Sequence, residues 1–265
     1  MNLIKTFGLV VKPIITKGKG MMNPLPTKQI FSDVFCLRDK DVNCFLIQGQ
    51  NGYLAIDSGY QNSQNTSAGL KMLGIAPEQV TDVFLTHLDI DHAGGVCAES
   101  QPIYPNAEIH ISAQEENYLT GAYSRKTIAG HRCKLPIALP RYKVFAPGEA
   151  LRVNGISILP VAVPGHTLGH TAFLVNGIYL FSGDCIIANE EGGWLFYDFW
   201  NQDPALNRES VQKLRDSKLH AKYVLTSHSG CLSWEKAFRH TDKAPDWRRK
   251  GFVFCREAEK NLYRQ

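Results

Sequence analysis

Between Thr86 and Gly95 the chain reads THLDIDHAGG, which puts His87, Asp89, Asp91 and His92 within six residues. Imidazoles and carboxylates at this density form a metal-ligand set suited to zinc, iron or manganese. Carboxylates crowded on one turn repel each other unless a cation lies among them. In extended backbone, residues 87, 89 and 91 point to the same side, and a turn at Asp91 lets His92 join them. Three further candidates each end an apolar run: His166 in VAVPGHTLGHT, Asp184 in IYLFSGDC and His228 in YVLTSHSG. Strand ends are where a sheet gathers distant residues into one site.

Taken in order, these motifs resemble the metallo-β-lactamase superfamily, from about Ile30 to about Ser229. The family pattern is His-x-His-x-Asp-His, then a His often in a Gly-His-Thr context, a bridging Asp and a final His. This chain departs from it at Asp89, where the family usually has its second His. The resemblance implies an α/β fold of αββα type, a four-layer sandwich of mixed sheets with a two-metal site at one edge. It implies that His87, Asp89 and His166 hold one metal, that Asp91, His92 and His228 hold the other, and that Asp184 bridges them. Asp57, in LAIDSG, matches a family aspartate whose role would be to orient a metal-binding histidine. His170, four residues past His166, is read as a supporting residue rather than a ligand.

Asp89 alters this picture chemically. Its oxygen lies about 2 Å nearer the backbone than the far nitrogen of a His. The loop must move inward, or a water must bridge, or Asp89 is no ligand; direct ligation is the favoured expectation. An added anionic oxygen would shift the site toward harder ions such as iron or manganese. Zinc is the first choice on availability, at two divalent ions per chain.

The chemistry implied by the resemblance is hydrolysis. Two metals about 3.5 to 4 Å apart share a water, and its lowered pKa makes a hydroxide nucleophile near neutral pH. Asp91 and Asp184 are the catalytic candidates, Asp91 because it could orient the nucleophile as well as bind metal. The expected substrate is a small lactone, ester or thioester, as in the lactonase and glyoxalase branches. Asp89 prompts a second class, a di-iron or mononuclear iron oxidoreductase or oxygenase of the same fold. A phosphodiesterase is a third.

The elements that must position these residues are legible as runs. Ile30 to Arg38, Asn43 to Gln48 and Tyr53 to Asp57 suggest a β meander, followed by a helix at Ser63 to Leu73 and a buried strand at Thr81 to Thr86. A strand at Ala107 to Ile111, a helix at Ala113 to Leu119 and a long irregular stretch from Thr120 to Pro147 follow. A loop of that length is more often a lid or binding loop than filler, and its Tyr118, Tyr123, Arg125, His131 and Arg132 could contact a substrate. Strands resume at Ile156 to Val163, Thr171 to Val175 and Ile178 to Phe181. A helix at Pro204 to Lys218, a strand at Tyr223 to Thr226 and two helical segments complete the chain, the last a cationic amphipathic helix. The aromatic run Trp194, Phe196, Tyr197, Phe199, Trp200 could line an acyl pocket or simply pack. Residues 1–29 read as an N-terminal extension and 30–265 as a single domain.

Composition sets the class. With 265 residues, 44% hydrophobic and 20% charged, the chain has the make-up of an ordinary globular domain. The net charge of +4 is uneven. Residues 1–40 hold seven Lys/Arg against two acids and 236–265 nine against four, leaving 13 against 19 between them. A nucleic-acid groove needs its positive charge near the chemistry, so no nucleic-acid partner is expected. No membrane span is expected either, and the partner is a small-molecule substrate. Seven cysteines without a C-x-x-C pair, and no cleavable signal, point to a cytoplasmic setting.

Overall fold

The computed structural model describes residues 3–18, 21–126 and 130–246. Two sheets share an apolar interior, and helices cover their outer faces. The first sheet runs Lys28–Gln29, Val34–Asp39, Val42–Gly49, Gly52–Ile56, Val80–Phe84, Glu108–Ser112, Lys143–Phe145. It begins as an antiparallel meander and becomes parallel from Gly52–Ile56 onward. The second runs Leu151–Val153, Ile156–Ala162, Thr171–Val175, Tyr179–Phe181, Tyr223–Leu225, Cys231–Ser233, with one parallel pair between Tyr179–Phe181 and Tyr223–Leu225. The mixed-sheet αββα sandwich implied by the sequence is therefore the observed fold.

Strands covered on both faces must be apolar throughout, and Thr171–Val175 is buried at every position. Between the sheets, Phe45 meets Phe181 at 5.1 Å and Phe84 meets Phe173 at 5.6 Å, ring centre to ring centre. Outside, the helix Gln64–Leu73 is capped by the Ser63 hydroxyl and stopped by Gly74 in the left-handed region. The helix Pro204–Asp216 starts at Asp203, whose side chain accepts from the Leu206 N–H, and turns Val211 and Leu214 onto the second sheet. Each of those two apolar side chains contributes roughly 1.5–3 kcal/mol on burial.

Three segments differ from the sequence reading. The stretch from Thr120 to Pro147 contains a short ladder, Arg125–Lys126 on Arg132–Cys133, and the edge strand Lys143–Phe145. Strands of two or three residues are too short to show a period. The hairpin Ile186–Asn189 with Gly192–Leu195 falls where only an aromatic run was legible. Residues 3–18, read as part of an extension, are helical, with a π-type turn at Phe7–Val11. A Cβ on Gly8 would stand 2.8 Å from Ile90 Cγ2, so glycine lets this helix press against the THLDIDHAGG loop. The cationic C-terminal helix expected from the sequence falls mostly beyond residue 246 and lies outside the described residues. Among the described residues no helix is long and apolar enough to cross a membrane.

Candidate metal centre

Four strand ends converge. Val80–Phe84 delivers His87, Ile156–Ala162 runs to His166, Tyr179–Phe181 to Asp184 and Tyr223–Leu225 to His228. Asp91 and His92 sit on the single turn Ile90–Ala93 that follows Asp89. The next turn, Gly94–Val96, packs so closely on the 57–59 segment that a Cβ on Gly95 would lie 2.2 Å from the Ser58 carbonyl oxygen, which accounts for a glycine there. His87, Asp91, His92, His166, Asp184 and His228 are all buried, and the seven expected residues form contiguous groups. Asp184 Oδ2 is 3.1 Å from His228 Nε2 and 3.5 Å from His166 Nε2, while its Oδ1 is 3.4 Å from His92 Nε2. Asp91 Oδ2 is 3.3 Å from His228 Nε2 and 3.5 Å from His92 Nε2, and Asp89 Oδ2 is 3.1 Å from His166 Nε2 and 3.6 Å from His87 Nε2.

Each imidazole is tied outward through Nδ1. His92 Nδ1 meets Asp57 Oδ2 at 2.8 Å, His87 Nδ1 meets Thr86 Oγ1 at 3.0 Å, His166 Nδ1 meets Asn201 Oδ1 at 3.1 Å and His228 Nδ1 meets the Asp41 carbonyl at 2.5 Å. An N–H donated outward leaves the Nε2 lone pair facing inward, the tautomer a metal ligand needs. Asp57 also accepts from the Thr86 N–H and hydroxyl, so it braces His92 and the strand end together. His170 Nε2 accepts the backbone N–H of Asp184 at 2.9 Å, which fixes the turn carrying that carboxylate.

The residues fit a metal ion. His87 Nε2, His92 Nε2, His228 Nε2 and Asp184 Oδ1 are buried polar atoms that make no hydrogen bond, a costly condition unless something coordinates them. Ligand atoms around a tetrahedral ion with bonds of about 2.0–2.1 Å stand roughly 3.3 Å apart, close to the separations above. The cluster also demands positive charge. Burial lowers the His92 pKa, but Asp184, Asp57 and Asp91 outweigh it and raise it well above the usual imidazole range. Burial likewise opposes the charge on His228, and Asp184 beside it pushes the pKa up to about 9.

Two cations of the chain enter the cluster. Arg125 forks onto Asp89, Nε to Oδ1 at 3.0 Å and Nη2 to Oδ2 at 2.8 Å, and Nη2 also reaches His166 Nε2 at 3.2 Å and the Trp200 carbonyl at 3.0 Å. Burial would raise the Asp89 pKa, yet the guanidinium holds it well below the usual carboxylate range. His166 is pushed down to about 4 by burial and by Arg125. Lys12, from the N-terminal helix, donates its ammonium to Asp91 Oδ2 and lies over the Trp200 ring. Burial disfavours its charge, but Asp91, Asp41 and Asp184 raise its pKa above the ordinary lysine range. Arg125 was among the loop residues marked in the sequence as able to meet a substrate; its contact is with Asp89. Lys12, Asp41, Glu115 and Asn201 carried no signal, because single polar residues outside a motif look like surface.

Glu115 couples the two ligand loops. Its Oε1 accepts the Leu88 N–H at 2.8 Å, between His87 and Asp89, and its Oε2 meets the Thr167 hydroxyl at 2.8 Å, next to His166. Burial pushes its pKa from 4.5 up to about 7 despite those bonds. A raised carboxyl pKa means folding takes up a proton, so the contribution is complete below about pH 4.5 and is lost as pH rises through 7. Glu115→Gln mimics the protonated form, accepting from Leu88 and donating to Thr167. Its stability relative to wild type should rise from near equality at pH 5 to an advantage of up to roughly 3 kcal/mol at pH 8. Urea unfolding at both pH values checks this, and a difference independent of pH would overturn it.

Of the other histidines, His110 stacks on Phe84 at 4.2 Å and pairs with Asp82, a satisfied core position, and His131 is exposed. Phe196 stands 5.1 Å from the His166 ring and 5.7 Å from the His228 ring. It joins Met21, Met22, Ile187 and Tyr197 in an apolar wall, with Phe199 and Trp200 partly exposed beside it.

The family model described as metallo-beta-lactamase superfamily matches residues 37–228. A hydroxyacylglutathione hydrolase of Serratia proteamaculans is 29% identical over 150 residues, 56% of this chain and 49% of that protein, so the match spans about half of the relative. An N-acyl homoserine lactonase of a Bacillus species is 27% identical over 221 residues, covering 71% of this chain and 81% of the lactonase. Among solved structures, a B3 metallo-beta-lactamase with an active-site glutamic acid superposes with a TM-score of 0.63 at 20% identity, covering 90% of this chain and 96% of that one. A subclass B3 enzyme from a soil metagenome library gives 0.59 at 19% identity, with 78% and 80% covered. At such identities the structural likeness concerns the fold.

Proposed function

This chain belongs to the metallo-beta-lactamase superfamily, and we propose that it is a metal-dependent hydrolase of a small lactone, ester or thioester. The observation that carries the reading is the placement of inward-facing His87, His92, His228 and Asp184 atoms, none of them hydrogen-bonded, beside the apolar wall of Phe196, Phe199 and Trp200. The donor atoms suit a divalent ion, and the wall suits the acyl part of a carboxyl derivative. The named activities of the Serratia and Bacillus relatives, on a thioester and a lactone, point the same way.

His92, His228, Asp184 and Asp91 are the residues that would hold the ion, with His87 adjoining. When bound, the ion supplies Lewis acidity and lowers the pKa of water. The chain's own groups do the rest. Asp57, Thr86, Asn201 and the Asp41 carbonyl fix the four imidazoles, so no reorganisation is needed when substrate arrives. Lys12 keeps its charge beside Asp91 and acts as a fixed positive group rather than a proton donor. Zinc is the proposed ion: the case for iron or manganese rested on Asp89 as an extra oxygen ligand, and both Asp89 oxygens are engaged by Arg125.

The test is a substrate panel on zinc-loaded protein: γ-lactones, nitrophenyl esters, an acyl thioester and bis-nitrophenyl phosphate, with oxygen consumption followed on the iron-loaded form. Turnover of at least one carboxyl derivative, lost on chelation and restored by zinc, is expected. Turnover of the phosphodiester alone, or oxygen uptake without hydrolysis, would replace this reading.

A further inference from the structure

We propose that the chain holds one tightly bound divalent ion, among Asp91, His92, Asp184 and His228, and that the Arg125 guanidinium stands permanently where a second ion would otherwise lie. The proposal rests on reading the cluster as a metal centre and sets the number of ions in it.

The two halves of the cluster differ in what their donor atoms already do. In the half formed by His87, Asp89 and His166, both carboxylate oxygens of Asp89 accept from Arg125, and the inward nitrogen of His166 faces the same guanidinium at 3.2 Å. His166 Nε2 is thus already engaged, with Arg125 Nη2 at 3.2 Å and Asp89 Oδ2 at 3.1 Å. Only His87 Nε2 remains without a hydrogen bond there, and that atom also belongs to the group of His92 and Asp184. In the half formed by His92, Asp184 and His228, the atoms His92 Nε2, His228 Nε2 and Asp184 Oδ1 make no hydrogen bond; they meet one another's residues and Asp91, with no cation of the described residues on them. Lys12 touches Asp91 in that half but leaves both imidazoles and Asp184 Oδ1 untouched.

Arg125 is also built to stay. Its side chain is 9% exposed, it donates to the Trp200 carbonyl, and its backbone lies in the ladder opposite Cys133. Guanidinium does not deprotonate in proteins, so no pH change in the ordinary range frees Asp89. The short Asp89 side chain and the long planar fork complement each other: an aspartate sets back from the cluster centre by the length that a guanidinium then fills. A His at position 89 would collide with that arrangement, which gives the departure from the family motif a physical reason.

The experiment is metal counting. The purified full chain is incubated with excess zinc, exchanged into metal-free buffer and analysed for zinc per chain, with circular dichroism as the control for folding. Wild type should retain one ion, Arg125→Ala should retain two, His228→Ala should retain well under half an ion, and His166→Ala should stay at one. Cobalt titration followed by visible absorption should saturate at one equivalent for wild type. Two tightly held ions in wild type, or one in both wild type and Arg125→Ala, would overturn the proposal while leaving the metal centre intact. Zinc absent from folded wild type would overturn the metal reading itself. If Arg125→Ala does not fold, the other two variants decide: loss of the ion in His166→Ala sinks the assignment.

Discussion

Asp184→Ala is expected to lower kcat/KM by about 10²–10³-fold, the scale of removing one group that stabilises a transition state. Among the described residues, Asp184 is the carboxylate whose oxygens reach imidazoles in both halves of the cluster, His92 and His228 on one side and His166 on the other. It is 2% exposed, and its Oδ1 makes no hydrogen bond. Its removal therefore takes away a donor that nothing nearby can replace. The fold should survive, because the link between this turn and His170 runs through the Asp184 backbone N–H, which alanine keeps. The melting temperature of the metal-free protein should fall, since against burial His228 and His92 hold the Asp184 pKa well below the usual carboxylate range, and they lose their buried counter-charge when it is removed. Kinetics on the best panel substrate, together with zinc content and a melting curve, check both halves. Activity within tenfold of wild type would remove Asp184 from the site.

Legibility in the sequence followed the density of the signal. His87, Asp91 and His92 were readable because three potential ligands crowd six residues, and His166, Asp184 and His228 because each ends an apolar run. All six converge in the fold. The long central strands were equally plain, since burial on both faces leaves an unbroken apolar run such as Thr171–Val175. What the sequence hid were relations between distant, individually ordinary residues. Asp89 could be recognised as odd, but its partner Arg125 lies 36 residues away in a two-residue strand that has no period. Lys12 interrupts an apolar stretch and reads as surface, yet a π-type turn and a close approach at Gly8 bring it to Asp91. Glu115 sits in a polar helix, where only the fold shows that it joins the loops of His87 and His166. Electrostatic pairing across a chain depends on tertiary distance, and a sequence states charges without distances.

The bracing of the imidazoles leads to a second large effect, at Asp57. This residue is buried at the end of Gly52–Ile56 with φ 62°, in the left-handed region that Asp and Asn tolerate better than Ala. It accepts from the Thr86 N–H at 2.8 Å, the Thr86 hydroxyl at 2.9 Å and His92 Nδ1 at 2.8 Å. Asp57→Ala strands these donors in a buried site and adds backbone strain, so it should cost roughly 3–5 kcal/mol, read as a fall in Tm of about 5–15 °C. Asp57→Asn separates stability from function. Its carbonyl can still accept from Thr86, and asparagine keeps the backbone comfortable, so most of the stability should remain. Its amide N–H₂, however, faces the His92 Nδ1–H, donor against donor. The imidazole relieves this by moving its proton to Nε2, the atom that must face the ion. Zinc affinity should then fall by about 10–100-fold, the range seen when a group supporting a metal-binding histidine is lost. Competition with a chromophoric chelator measures that affinity, and melting curves of the metal-free proteins measure the rest. An Asn variant that binds zinc as wild type does would show that Asp57 holds the strand end without setting the tautomer of His92.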